Sequence, residues 1–245
     1  YRLIELNQPA GTLVAGGSQS CVILSNEEVK CWGTVLRDGP DNGIDPVVSN
    51  DLSAKLLDTL GGADQVAVGG NGRNPVWEEL GSPPPPVAPV QAAATCARRD
   101  GMVWCMGGND RFQSGHTIEV ADLQASLVQF LDDVVAIEAG SDNNFCAVRG
   151  DGTLYCWGDN DHGQLGLDSV YDVRPDRAPS LPVYAADKSL FGGVASVSVG
   201  RDHACAVRTD QTLWCWGGNS GGQLGDGSTT ERGIPAQVGT GTWDS

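Results

Sequence analysis

The sequence predicts an all-β chain assembled from four copies of one disulfide-stapled hairpin. Three observations carry this expectation. The text "CAVRGDGTLYCWGDNDHGQLG" at 146–166 returns as "CAVRTDQTLWCWGGNSGGQLG" at 205–225, and a stretch written twice is a structural unit used twice. The eight cysteines fall into four close pairs: Cys21 and Cys31, Cys96 and Cys105, Cys146 and Cys156, Cys205 and Cys215. The 34 glycines and 13 prolines among 245 residues punctuate the chain into short elements, glycine standing at about twice its usual share of roughly 7%.

Each hairpin follows from its own spacing. Eight cysteines allow 105 pairings, and the repeat reduces them to one, because each unit carries its own pair: Cys21–Cys31, Cys96–Cys105, Cys146–Cys156 and Cys205–Cys215. With Cys146 opposite Cys156, Ala147 faces Tyr155, Val148 faces Leu154 and Arg149 faces Thr153. Gly150-Asp151-Gly152 is left as a three-residue loop. The second unit has one residue fewer between its cysteines. There Arg99 faces Met102, and Asp100-Gly101 remains as a two-residue type I′ turn. Non-hydrogen-bonded cross-strand pairs bring Cα atoms to about 4.5 Å, within disulfide reach. Each closed loop is worth roughly 2.5–3 kcal/mol in the chain-entropy view. Zinc is the weaker reading: zinc knuckles favour Cys-x₂₋₄-Cys spacing, and the chain has only three histidines. Four bonded pairs imply an oxidising setting: extracellular, cell surface or periplasm.

The repeated text extends beyond the hairpin. A short run ending in glycine precedes it, "VVAIEAG" at 134–140 and "VASVSVG" at 194–200. Trp-Gly, Asn and Gly-Gln-Leu-Gly follow, from Trp157 to Gly166 and from Trp216 to Gly225. The second copy keeps "VAVGG" at 66–70, "CARRDGMVWCMGGN" at 96–109, Gln113 and Gly115. The first keeps "VAGGSQSCVILSNEEVKCWG" at 14–33 and lacks the later motif. This pattern resembles the repeat of the regulator of chromosome condensation family, in its extracellular, disulfide-containing variety, over about four-fifths of the chain. The resemblance implies a β-propeller with four antiparallel strands in each blade. It also implies seven blades, whereas four repeats are present, at about 14–65, 66–133, 134–193 and 194–245, so a partial or small propeller forming a single domain is expected. In that setting Trp157 and Trp216 offer large faces for packing one blade on the next. Asn160 and Asn219 tie turns, and His203 takes a packed structural position.

Two segments depart from the repeat. The second copy carries an insertion at 71–95, containing Trp77 and the run Pro83, Pro84, Pro85 and Pro86, which favours stiff polyproline II. It reads as a rigid spacer or, more sharply, as a partner-binding loop. The other segment is "RDGPDNGIDPVVSND" at 37–51. Asp38, Asp41, Asn42 and Asp45 offer hard oxygen ligands, a weak calcium candidate, but their spacing departs from the Asp-x-Asp-x-Asp-Gly loop, and an acidic surface loop is the simpler reading.

Charge and motifs narrow the function. A net charge of −16 disfavours nucleic-acid backbones and anionic membrane surfaces. No apolar run approaches the roughly 18 residues of a membrane span. All cysteines are committed to pairs, and no Gly-x-Ser-x-Gly, His-Glu-x-x-His or phosphate-cradling loop appears. The expectation is a non-enzymatic protein-binding propeller of a secreted or surface protein, with loops and rim engaging a partner and no cofactor unless calcium. The alternatives are a structural or adhesive module of a larger extracellular assembly, and a secreted enzyme inhibitor. The start at Tyr1 and the end at Ser245 read as excision from a longer chain that supplies further blades. A four-bladed ring closed by "TLVAGG" at 12–17, or edge-to-edge pairing of two copies, are the other ways to settle the strand edges.

Overall fold

A computed structural model describes residues 6–17, 19–37, 47–70, 93–109, 111–115, 122–168 and 180–239. Among these residues sixteen strands form four antiparallel four-stranded sheets, each built from strands consecutive in sequence. The first sheet comprises β1 (Ala10–Gly16), β2 (Gln19–Leu24), β3 (Val29–Arg37) and β4 (Val47–Leu56). The second comprises β5 (Gln65–Val68), β6 (Ala94–Arg99), β7 (Met102–Gly107) and β8 (Asp122–Leu127). The third comprises β9 (Val134–Ala139), β10 (Asn144–Arg149), β11 (Leu154–Gly158) and β12 (Leu181–Pro182). The fourth comprises β13 (Val194–Val199), β14 (His203–Arg208), β15 (Leu213–Gly217) and β16 (Arg232–Gln237). The first strands of successive sheets, β1, β5, β9 and β13, pack on one another in series. This is the arrangement of propeller blades. The only helical element among the described residues is a single 3-10 turn at Asp58–Leu60.

The second and third strands of every sheet form the cysteine hairpin, with the two cysteines directly opposite and their Cα atoms 4.1 Å apart. In the second sheet Arg99 pairs with Met102, and both turn residues have positive φ, 53° at Asp100 and 71° at Gly101. That is a type I′ turn. The longer turns end on one left-handed residue, Glu27, Gly152 or Gln211 in the first, third and fourth sheets. Its N–H donates to the carbonyl three residues back, at 2.8–2.9 Å. The central aspartates earn their place by side-chain chemistry. Asp151 accepts from the N–H and hydroxyl of Thr153 at 2.9 and 2.6 Å, and Asp210 accepts likewise from Thr212.

Three hydrophobic cores separate four sheets. The first sets Cys21, Ile23, Val29 and Cys31 against Val66, Val68, Ala97 and Met106. The second sets Ala94, Cys96, Val103 and Cys105 against Val134, Phe145, Ala147 and Trp157. The third sets Cys146, Val148, Leu154 and Cys156 against Val194, Ala204, Ala206 and Trp216. The first three disulfides therefore lie on the face turned toward the following sheet, and Ala97-Met106, Ala147-Trp157 and Ala204-Trp216 lie on faces turned back toward the preceding one. The indole of Trp157 donates to the Gln113 carbonyl at 3.1 Å, and that of Trp216 to the Gln164 carbonyl at 2.9 Å. Glycine permits the close approach of strands across the seams: a Cβ at Gly16 would collide with the Val68 carbonyl, and one at Gly140 with the Gly200 carbonyl.

The loop after Trp157-Gly158 and Trp216-Gly217 (Met106-Gly107 in the second repeat) is a fixed module. Asn109, Asn160 and Asn219 accept with Oδ1 from the N–H five residues on, at Ser114, Leu165 and Leu224 (2.9–3.0 Å). Gln113, Gln164 and Gln223 accept with Oε1 from the N–H two residues back, at 2.7–2.9 Å. The second repeat keeps this loop although Phe112, at φ 59°, occupies the place of Gly163 and Gly222.

One feature of the sequence reading changes. Residues 10–16 pair with β2 inside the first sheet, so "TLVAGG" does not complete the last one. Arg232–Gln237 pairs with β15 as the fourth strand of the fourth sheet. The sheet already contains β13 through β15, and β16 satisfies its last edge locally.

Three outcomes are expected. Gly101→Val should cost about 1–2 kcal/mol in denaturant unfolding, because a branched residue at positive φ is strained while the nearest atoms to an added Cβ lie 3.7 Å or more away. Asn160→Ala should cost about 1–3 kcal/mol by leaving the buried Leu165 N–H without an acceptor, with partial rescue by Asn160→Asp, which keeps an oxygen. The carboxyls of Asp151, Asp187, Asp210 and Asp226 are all held below the ordinary carboxylate range, chiefly by hydrogen bonds from Thr153, Ser189, Thr212 and Ser228 respectively. A depressed native pKa contributes stability that is complete above the unfolded value of about 3.9 and is lost as pH falls through the native one. Thermal melting should therefore be flat near neutrality and fall below about pH 4, and Asp226→Asn should make that fall shallower.

Candidate partner-binding surface

The linker between the second and third sheets, residues 128–133, and the first residues of β9 are held at nearly every position. Val128, Leu131 and Val134 are buried in the second core. The N–H of Val128 donates to the Val103 carbonyl at 2.9 Å, and that of Val134 to Gly101 at 2.8 Å. The Gly150 N–H donates to the Asp133 carbonyl at 2.7 Å. Arg149 donates to the carbonyl of Asp132 at 2.9 Å and to its carboxylate at 2.5 Å. Arg98 donates to the Val135 carbonyl at 2.5 Å, and the Ser180 hydroxyl to the Gln129 carbonyl at 3.2 Å.

One large apolar side chain stands outside this network. Phe130 is 74% exposed, the most exposed of the large hydrophobic residues among those described. Its backbone takes φ 63°, and Asp133 takes φ 52°, conformations that cost of order 1–3 kcal/mol and persist only where surrounding structure enforces them. Leu127 at the end of β8 and Val135 in β9 are exposed beside it in sequence, and Asp132 and Asp133 add carboxylates. The result is an apolar anchor with an acidic border on a rigid rim. An exposed aromatic ring with little conformational freedom left to lose is the kind of residue that carries binding energy at interfaces.

Arg99, Arg149 and Arg208 build equivalent rims in three sheets. Each stacks its guanidinium on the aromatic before the second cysteine, Trp104, Tyr155 or Trp214, at 4.8–5.9 Å. Each also donates to a carbonyl in the linker entering its own sheet, at Gly61, Asp132 or Gly192.

Asp38, Asp41, Asn42 and Asp45, like Trp77 and Pro83, Pro84, Pro85 and Pro86, fall outside the described residues, as does His116. His162 meets Glu231 at 2.7 Å, and His203 lies against Gly200 with Asp202 at 3.4 Å. No group of three or more His, Cys, Asp or Glu side chains with metal-binding geometry occurs among the described residues. Sequence reasoning missed Phe130, because "VQFLDDVV" reads as apolar filler with one ring among four aliphatics. Only the fold reveals which of its apolar residues is left outside.

Two profiles, both described as the regulator of chromosome condensation (RCC1) repeat, match residues 151–207 and residues 134–164 and 194–223. Residues 134–223 carry RCC1 repeats. The 151–207 match runs from the turn before β11 into β14, so the RCC1 sequence unit is offset from the sheet and contains a seam within it. Human regulator of chromosome condensation is 28% identical over 186 residues, 72% of this chain and 42% of that protein. The human probable E3 ubiquitin-protein ligase HERC3 is 33% identical over 114 residues, 46% of this chain and 10% of that protein. In structure, yeast RCC1 (Prp20), solved bound to Kap60, superposes with a TM-score of 0.67 at 17% identity, over 97% of this chain and half of the other. The chain thus spans less than half the length of these curated relatives.

Proposed function

We propose that this RCC1-repeat chain is a non-enzymatic binding scaffold that engages a protein partner through its rim, in an oxidising compartment. The observation that carries the reading is Phe130: an exposed aromatic held on a positive-φ backbone by Arg98, Arg149 and Ser180. Holding an unfavourable backbone geometry that displays an apolar ring makes physical sense when a partner covers the ring. The polar residues of the repeats point the same way. Asn160, Asn219, Gln164, Gln223, Arg149 and Arg208 are spent on internal ties that make the sheets a stiff frame. Yeast RCC1 (Prp20) has been solved with a protein, Kap60, which supports a protein rather than a small molecule as partner here. Four bonded cysteine pairs support the oxidising compartment.

The test replaces residue 130 with a photo-crosslinking amino acid and identifies what it captures in the protein's native setting. Phe130→Ala should then weaken binding of the captured protein by about 2 kcal/mol, roughly thirty-fold in Kd, while the melting temperature stays unchanged. Undiminished binding by Phe130→Ala would overturn this surface, and turnover of the captured protein would overturn the non-enzymatic reading.

A further inference from the structure

The linker leaving the third sheet displays apolar side chains, as the linker entering it displays Phe130. Residues 183–193 fold back on themselves, with Tyr184 and Leu190 directly opposite each other. The Phe191 N–H donates to the Val183 carbonyl at 2.8 Å, and that of Ala185 to the Ser189 carbonyl at 2.9 Å. Alternation along the two short arms sends Val183 and Phe191 inward, where they are 0% and 3% exposed in the third core. Tyr184 and Leu190 point outward, at 36% and 49%. Phe191 is fixed below by edge-on contact with Trp214 and Trp216. At the tip, Asp187 accepts from the N–H and hydroxyl of Ser189 at 2.9 and 2.6 Å. Like Phe130, the exposed pair sits on a fixed frame and has little freedom to lose on binding.

The two linkers belong to one continuous rim. The hairpin turn of the third sheet lies between them: the Gly150 N–H donates to the Asp133 carbonyl at 2.7 Å, and the Val194 N–H to the Gly152 carbonyl at 3.0 Å. On the far side the Thr209 N–H donates to the Gly193 carbonyl at 2.7 Å, which brings in the turn of the fourth sheet. Charge along this rim is one-sided. Asp132, Asp133, Asp151, Asp187 and Asp210 are exposed. The cations are spent beneath them. Arg149 and Arg208 turn in to the carbonyls of Asp132 and Gly192 and to the rings of Tyr155 and Trp214, and Lys188 pairs with Asp168. Arg149 also meets the carboxylates of Asp132 and Asp151, and Arg208 that of Asp210. A surplus of acid remains, in a chain whose net charge is −16.

We propose that Phe130, Tyr184 and Leu190 are the anchors of one docking surface, and that its occupant is a basic protein face on which apolar side chains stand between lysines and arginines. The surface includes Phe130 and so rests on its reading as a partner contact; Tyr184 and Leu190 add a second anchor, and the carboxylate border sets the partner's charge. Apolar side chains of the partner cover the three anchors, and its ammonium or guanidinium groups meet the bordering carboxylates. A neutral face would desolvate those carboxylates without a counter-charge, and an acidic one would repel them. The carboxyls of Asp151, Asp187 and Asp210 are held below the ordinary range, chiefly by hydrogen bonds from Thr153, Ser189 and Thr212, so this border keeps its charge in mildly acidic as well as neutral surroundings.

The probe is a soluble synthetic peptide repeating Lys-Lys-Leu, with a Glu-Glu-Leu peptide of equal length as its control. Each is titrated into the isotopically labelled full chain and followed by amide NMR. The lysine peptide should shift the amides of 129–133, 150–152 and 184–190 along one saturation curve, and the glutamate peptide should shift none of them. Phe130→Ala and Leu190→Ala should each weaken binding of the lysine peptide about tenfold. Raising sodium chloride from about 50 to about 200 mM should weaken it further. Shifts spread evenly over acidic residues elsewhere, such as the exposed Asp161 and Glu231, or insensitive to both substitutions, would overturn the proposal. So would separate saturation of the two linkers. Binding of the glutamate peptide at these amides, lost in Phe130→Ala, would overturn the basic partner and leave the Phe130 surface standing. A photo-crosslinking amino acid at residue 190 should capture the same protein as one at residue 130. Capture at 130 alone would remove the second anchor with the Phe130 reading intact, whereas undiminished binding of the captured protein by Phe130→Ala would overturn both.

Discussion

The structure depends on the seating of one repeat's Ala-Trp face against the disulfide face of the repeat before it. No sheet could bury both of its faces alone, since a four-stranded sheet with apolar residues on two sides needs a neighbour on each. Trp157 and Trp216, wholly buried, supply the largest single pieces of the second and third seams. Their indole N–H groups would be expensive to bury unpaired, and the Gln113 and Gln164 carbonyls accept them. The acceptor belongs to the loop that Asn109 or Asn160 shapes, so the loop module and the seam are one device: the asparagine fixes the loop, the loop presents the carbonyl, and the carbonyl orients the ring.

The second repeat shows how far the device can be altered. Met106 stands where the third and fourth repeats have tryptophan, and it still fills the seam against the first sheet as a flexible apolar side chain with no N–H to satisfy. Phe112 replaces the loop glycine and accepts a left-handed backbone, which its own burial helps to offset. The hairpin lost one residue and became a type I′ turn, with no threonine in the turn for Trp104 to use. In the fourth repeat the Trp214 indole donates to the Thr212 hydroxyl at 2.8 Å, whereas the Trp104 indole nitrogen is buried without a partner.

The rim carries the candidate function because the seams leave it fixed. Arg99, Arg149 and Arg208 donate to linker carbonyls and so convert connections between sheets into rigid ledges. A ledge with its backbone groups satisfied can hold Phe130 at positive φ with its ring outward, while Val128, Leu131 and Val134 are buried.

The hairpins were legible in the sequence because their constraints are local. Cysteine spacing, a two- or three-residue turn and strand alternation leave one register, and Cys96 opposite Cys105 over Asp100-Gly101 needs nothing from the rest of the chain. The repeat itself was legible for the same reason, as was the structural use of Asn160 and Asn219. Tertiary structure decided what depends on neighbours. Residues 10–16 and 232–237 each joined their own sheet, because strand edges are satisfied by the nearest partner and the text of a single strand does not name one. "CAV" is buried at 146–148 and half-exposed at Cys205 and Val207, although the letters are the same. Burial belongs to the surface that arrives from outside the segment, and for the same reason Phe130 could be recognised as an anchor only once the residues around it had been packed away.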